Sequence, residues 1–148
     1  MRLSLQVQYA ICGLFDLAYN GQGEPVQVRV ISERQAVPTR YLEQIFRRLR
    51  QASLVTSKRG PGGGYTLARA PSAITLRQVL EAVEGPVAES LAMDPDPEGG
   101  TFRPDFVWQE LADRFSLALE ETTLDSLCRQ AERAQVPRAE SEAPMWFI

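Results

Sequence analysis

The amino-acid sequence predicts a mainly α fold carrying one small β-hairpin, and three observations carry that expectation. Apolar residues recur at three- and four-residue spacing along most of the chain. Two short β-favouring runs, Leu54-Val55-Thr56-Ser57 and Tyr65-Thr66-Leu67, flank a glycine-rich turn, which is the signal of a hairpin. An arginine-rich helical pattern stands directly before that hairpin, so helix, helix and hairpin follow in the order of a winged helix-turn-helix.

The first helix is expected from Leu3 to Tyr19, where Val7, Ala10, Ile11, Leu14, Phe15 and Ala18 form one buried face. Asn20-Gly21-Gln22-Gly23 ends it. Val26, Val28 and Val30 alternate like a strand, while Val30 to Gln35 could equally make two turns of helix; context favours a short helix from about Val28. Val37-Pro38 breaks the chain, since proline disfavours helix in the residue before it and suits a helix's first turn. The next helix, about Pro38 to Gln51, sets Leu42, Ile45, Phe46 and Leu49 on one face and Arg40, Glu43, Gln44, Arg47 and Arg50 on the other. After the hairpin, Thr75-Leu76-Arg77-Gln78 reads as a capping box opening a helix that Gly85-Pro86 stops.

Residues 1–85 are therefore expected to form a winged helix-turn-helix unit. Residues 86–104, rich in proline, glycine and acids, read as an exposed, flexible linker. Over 105–134, Trp108, Leu111, Phe115 and Leu119 form a long apolar stripe, and Leu124, Leu127, Cys128 and Ala131 suggest a shorter helix behind it. A helix with so aromatic a stripe needs a partner surface. Residues 135–148 read as a tail, ending in the hydrophobic Met145-Trp146-Phe147-Ile148.

Composition narrows the function. The 148 residues suffice for one ordinary core or a small domain with a helical arm, and 44% hydrophobic with 24% charged residues is globular composition. No apolar run approaches the roughly 20 residues that span a bilayer, and the N-terminus lacks a signal-peptide pattern, so a cytoplasmic protein is expected. Two widely separated cysteines suit reduced thiols. Histidine is absent, which removes Ser-His-Asp and Cys-His nucleophiles, His-ligated zinc and imidazole acid–base catalysis. An enzyme is therefore not expected.

The formal net charge is −3, yet Arg29 to Arg59 holds eight basic residues against Glu33 and Glu43, a local +6 that leaves −9 elsewhere. Local charge is what meets a phosphate backbone. A helix in the major groove reads bases mainly with its N-terminal residues, which nominates Thr39, Arg40, Tyr41, Glu43, Gln44 and Arg47. Glu43 is the unusual member: an acid facing DNA lowers affinity unless it accepts from a cytosine amino group, so it would discriminate more than anchor. Ser57, Lys58, Arg59, Gly62 and Gly63 would form the wing, with Arg59 reaching the backbone or minor groove. Competing readings are a solvated basic face, a plain hairpin turn or a phosphate loop; the last wants a lysine after its glycines and a following helix, and neither is present.

Several stretches carry a family resemblance: Met1-Arg2-Leu3-Ser4, Tyr9-Ala10, Tyr41-Leu42-Glu43-Gln44-Ile45, Leu49-Arg50, Ser57-x-Arg59-Gly60-Pro61-Gly62-Gly63-Gly64-Tyr65 and Glu81-Ala82-Val83-Glu84-Gly85. The chain resembles the Rrf-two family of winged-helix transcription regulators, specifically over Met1 to Gly85 and more faintly through Trp108 to Leu127. The resemblance implies a homodimer formed through a long C-terminal helix carrying Trp108, Leu111, Phe115 and Leu119. It also implies a roughly palindromic double-stranded DNA operator, with Tyr41, Glu43, Gln44 and Arg59 in contact. IscR-like members that bind an iron–sulfur cluster place three cysteines between the fourth helix and the dimer helix. Here Gly85 to Trp108 contains no cysteine or histidine, so no cofactor is expected. Cys12 and Cys128 read as small buried hydrophobes, with a thiol switch as the minor alternative.

The expectation is thus a sequence-specific, homodimeric repressor without a cluster. The alternative is a protein-interaction or ligand-sensing module on the same fold with weak or lost DNA binding, its effector pocket sought between the wing domain and the Trp108 helix.

Overall fold

A computed structural model describes residues 3–90 and 96–139. Helix α1 (Leu5–Asn20) opens at Ser4, whose hydroxyl accepts from the Val7 amide at 3.3 Å and so satisfies one of the helix's orphan donors. The ambiguous valine run resolves as helix α2 (Val28–Gln35). Only Val26 keeps strand geometry, bridging Tyr65 through two backbone bonds of 2.9 and 2.8 Å. Pro38 caps α3 (Thr39–Gln51), which buries Leu42, Ile45, Phe46 and Leu49 as its periodicity requires.

Strands β1 (Val55–Lys58) and β2 (Gly64–Leu67) pair antiparallel, Val55 opposite Leu67 and Lys58 opposite Gly64. The pairing finishes at Lys58, and the turn beyond it is exposed apart from Gly63. A 3-10 turn (Pro71–Ala73) leads to α4 (Leu76–Glu84), where both bonds of the capping box form: Gln78 N–H to Thr75 Oγ1 at 3.2 Å and Thr75 N–H to Gln78 Oε1 at 3.0 Å. Helices α5 (Val87–Ser90), α6 (Phe106–Glu121) and α7 (Leu124–Arg133) follow, α7 opening with a second capping box of Thr123 and Ser126.

One apolar cluster joins Leu14, Ile31, Phe46, Leu54, Ile74 and Val79 with Val87 of α5 and Leu124 of α7. Phe46 is fully buried at its centre with its ring 4.9 Å from that of Tyr65, so truncating it to alanine should cost about 3–5 kcal/mol. The core therefore runs past Gly85. The stretch 86–104, expected as an exposed linker, begins with a helical turn whose Val87 is fully buried, although Pro86 and Glu89 are exposed, as are most residues from Asp96 to Pro104. Proline and glycine mark chain reversals, and here the reversal at Gly85 turns the next valine inward.

Helix α6 packs on α4 and α5 while burying only Ala112 completely; Leu111, Phe115 and Leu117 remain exposed, and Trp108 and Leu119 are half-buried. Beyond α7 the first residues of the expected tail turn back onto α1, with the Tyr19 hydroxyl donating to Val136 O at 2.7 Å. Met145–Ile148 lie outside the described residues.

Candidate nucleic-acid interface

The buried stripe of α3 fixes which residues face outward. Arg40, Tyr41, Glu43, Gln44, Arg47 and Arg50 are all exposed, as their spacing predicts. Arg40 donates to the Tyr41 hydroxyl at 3.0 Å and its guanidinium stands 4.8 Å from the Tyr41 ring centroid. Such stacking pre-orders a flexible cation beside a planar donor. At the other end of the helix, Arg50 Nη1 donates to Ser57 Oγ at 3.3 Å, joining the polar face of α3 to the first wing strand. Lys58 and Arg59 stand exposed at the end of that strand, and Gly62 is exposed at the turn.

Two nominated residues are placed differently. The Thr39 hydroxyl lies 2.8 Å from Ser32 Oγ, which itself donates to Val37 O, so Thr39 fastens the turn between α2 and α3. Gly63 is buried: its amide donates to Gly60 O at 2.9 Å, and a Cβ there would lie 2.3 Å from the Lys58 carbonyl oxygen. Its part is to shape the turn, since no side chain fits.

The basic run also divides. Arg34 Nη2 donates to Asp16 Oδ1 at 2.7 Å, and Asp16, wholly buried in α1, accepts further from Gln35 at 3.0 Å and Asn20 at 3.2 Å. Arg48 Nη1 donates to Val83 O at 3.0 Å and Gln6 Oε1 at 3.1 Å. Arg29 pairs with Glu33 on the surface. Arg40, Arg47, Arg50, Lys58 and Arg59 form no ion pair among the described residues, and these five lie exposed on α3 and the wing. Asp16 was missed from sequence; the signal was a lone acid between Phe15 and Leu17 on an otherwise apolar helix face.

A family model described as Iron-dependent Transcriptional regulator, Rrf2, matches residues 3–130. The chain belongs to the Rrf2 family. It is 38% identical to the HTH-type transcriptional regulator IscR of Vibrio atlanticus over 138 residues, covering 92% of this chain and 80% of that protein. It is likewise 38% identical to IscR of Escherichia coli K12 over 137 residues, covering 89% and 83%. Among solved structures, IscR of T. potens superposes with a TM-score of 0.74 at 34% identity, covering 94% of each chain. CymR, the global cysteine regulator of B. subtilis, does so at 0.75 and 29%, covering 88% of this chain and 98% of that one. This Rrf2 member is a DNA-binding transcription regulator with a winged-helix fold, not an enzyme.

The Rrf2 description names iron, and the donor set answers poorly to it. The chain has no histidine, its two cysteines sit in α1 and α7, and Gly85 to Trp108 holds neither residue type. An iron–sulfur cluster in that stretch lacks soft ligands. No group of three or more His, Cys, Asp or Glu able to hold a metal occurs among the described residues. Asp96 is engaged instead by the Glu98 amide and by Arg103, each at 3.0 Å, which hold its carboxyl below the usual range. Burial pushes the Cys12 and Cys128 thiols up, with Asp125 adding to the effect at Cys128, the opposite of what activates a thiolate.

No helix among the described residues is long and apolar enough to cross a membrane. One hollow of about 330 Å³ lies between the end of α1 and β2, bordered by Leu17, Thr66 and Arg69. Another of about 620 Å³ lies beneath the wing turn, bordered by Val26, Val30 and Gly62. Trp108 lines neither.

Proposed function

We propose that this Rrf2 member is a homodimeric, cytoplasmic repressor that reads a roughly palindromic operator without an iron–sulfur cluster. The carrying observation is the continuous polar surface that the Arg50–Ser57 hydrogen bond makes of α3 and the wing, with five cations that no acid of the described chain neutralises. Phosphate neutralisation by such cations supplies sequence-independent affinity, and base edges supply the choice. Tyr41, Glu43 and Gln44 take the base-reading role, Arg40 and Arg47 flank them, and Lys58 and Arg59 reach the backbone or minor groove. Residues 1–85 act as the reading unit and 105–134 as the dimerisation region. Leu111 and Phe115, exposed on α6, supply apolar surface for a second copy together with Trp108 and Leu119. Two reading heads in a symmetric dimer call for a palindrome, and occupancy of a promoter excludes polymerase. The two cysteines pack as small hydrophobes. Cluster-free action is supported by the absence of cysteine and histidine from Gly85 to Trp108.

Selection of genomic fragments by the purified protein tests this reading. The wild type should enrich a two-fold-symmetric motif, and Glu43→Ala should enrich a broader one. Absence of any enriched motif would reject sequence-specific reading; an identical motif for the variant would leave Glu43 a structural residue.

A further inference from the structure

Besides the packing of α6 on α4 and of α7 on α1, two polar junctions fasten the C-terminal half to the reading head. One is a backbone junction, where Leu76 N–H donates to Thr122 O at 2.9 Å and Leu124 N–H donates to Ile74 O at 3.0 Å. The other lies beyond the far end of α7 and centres on Arg138. Its Nη1 donates to Tyr19 O at 2.7 Å, its Nη2 pairs with Glu132, and its guanidinium lies 4.1 Å from the Tyr19 ring centroid. Alongside, Ala139 N–H donates to Asn20 Oδ1 at 2.8 Å.

Asn20 faces two ways. Its Nδ2 donates to Asp16 Oδ2 at 3.2 Å, and the same buried carboxylate holds Arg34 and Gln35 in the last turn of α2. A continuous polar chain thus runs from the segment after α7, through the end of α1, to the helix that precedes α3 by one short turn. Within a protein interior such linked bonds reinforce one another. Arg34 Nε is itself buried without a partner among the described residues.

We propose that Arg138 is a positioning residue for DNA reading. It lies outside the α3 and wing surface, and it acts by holding α1, and through Asp16 α2, at a fixed angle to the C-terminal half. The inference rests on the DNA-reading role proposed above. A dimer must meet two half-sites about one helical turn apart at once, so a small tilt of each head lowers operator affinity. Phosphate contacts open to any duplex survive the same tilt.

The full chain should be titrated onto the selected operator and onto an unrelated duplex across a salt series, by fluorescence anisotropy. Arg138→Gln should lower operator affinity roughly threefold to tenfold while affinity for the unrelated duplex and the salt slope stay unchanged. Arg138→Lys, which keeps a cation over Tyr19, should restore most of the loss. Asn20→Ala should reproduce the pattern and add little to Arg138→Gln, because both break one chain. Unchanged operator affinity in Arg138→Gln overturns the proposal, as does an equal loss on both duplexes, which marks general destabilisation, or a shallower salt slope, which marks a direct phosphate contact. A wild-type chain that binds no duplex removes the DNA-reading role itself, an outcome distinct from wild-type binding with an indifferent variant.

Discussion

Arginines of one short run meet opposite fates in this chain. Arg34 and Arg48 are drawn to Asp16 and to the Val83 carbonyl, whereas Arg59 stands exposed beyond β1. Arg59 should therefore act on phosphate without regard to sequence. Arg59→Ala is expected to weaken every duplex alike and to reduce the slope of log K against log salt by about one; unchanged affinity would remove Arg59 from the interface. Counting charges along the sequence locates a basic stretch but cannot sort its members, because the partners of Arg34 and Arg48 lie 18 and 35 residues away. Thr39 illustrates the same limit. Its exposed hydroxyl shares a hydrogen bond with Ser32 across the turn before α3, a partner that the sequence pattern does not announce.

At the scale of elements, the wing is fixed by a close approach. Gly64 adopts φ +147°, and a Cβ there would lie 2.4 Å from the carbonyl carbon of Val26. Gly64→Ala should destabilise the fold by about 1–3 kcal/mol, read as a lower Tm by circular dichroism, since both the backbone region and the Val26 bridge resist a side chain. An unchanged Tm would show that the bridge yields. Long elements were legible because apolar spacing and caps agree: α1, α3 and α4 stand within two residues of expectation. Short ones were less so. Helix α5 has too few residues to show a period, and the cap of α7 uses Ser126 where the usual signature has Glu or Gln. The return of residues 136–139 onto α1 left no apolar pattern, because polar groups make it.

For the whole molecule, the exposed Leu111 and Phe115 of α6 bear on assembly. Wild-type protein should scatter light as a dimer, and Phe115→Glu should shift it toward monomer and weaken operator binding together; a dimer unaffected by that charge would move the contact elsewhere. On the proposed reading, the architecture also bears on how a dimer would meet its operator. Backbone bonds between Val26 and Tyr65 tie the turn end of the hairpin to the body, and Arg50–Ser57 ties it to α3. The angle between helix and wing is set before any duplex arrives. On the DNA-reading role proposed above, a duplex that fits helix and wing poorly would have to bend, and easily kinked pyrimidine–purine steps beneath the wing would lower the cost of bending. Base pairs that no side chain touches would thereby enter the protein's preference.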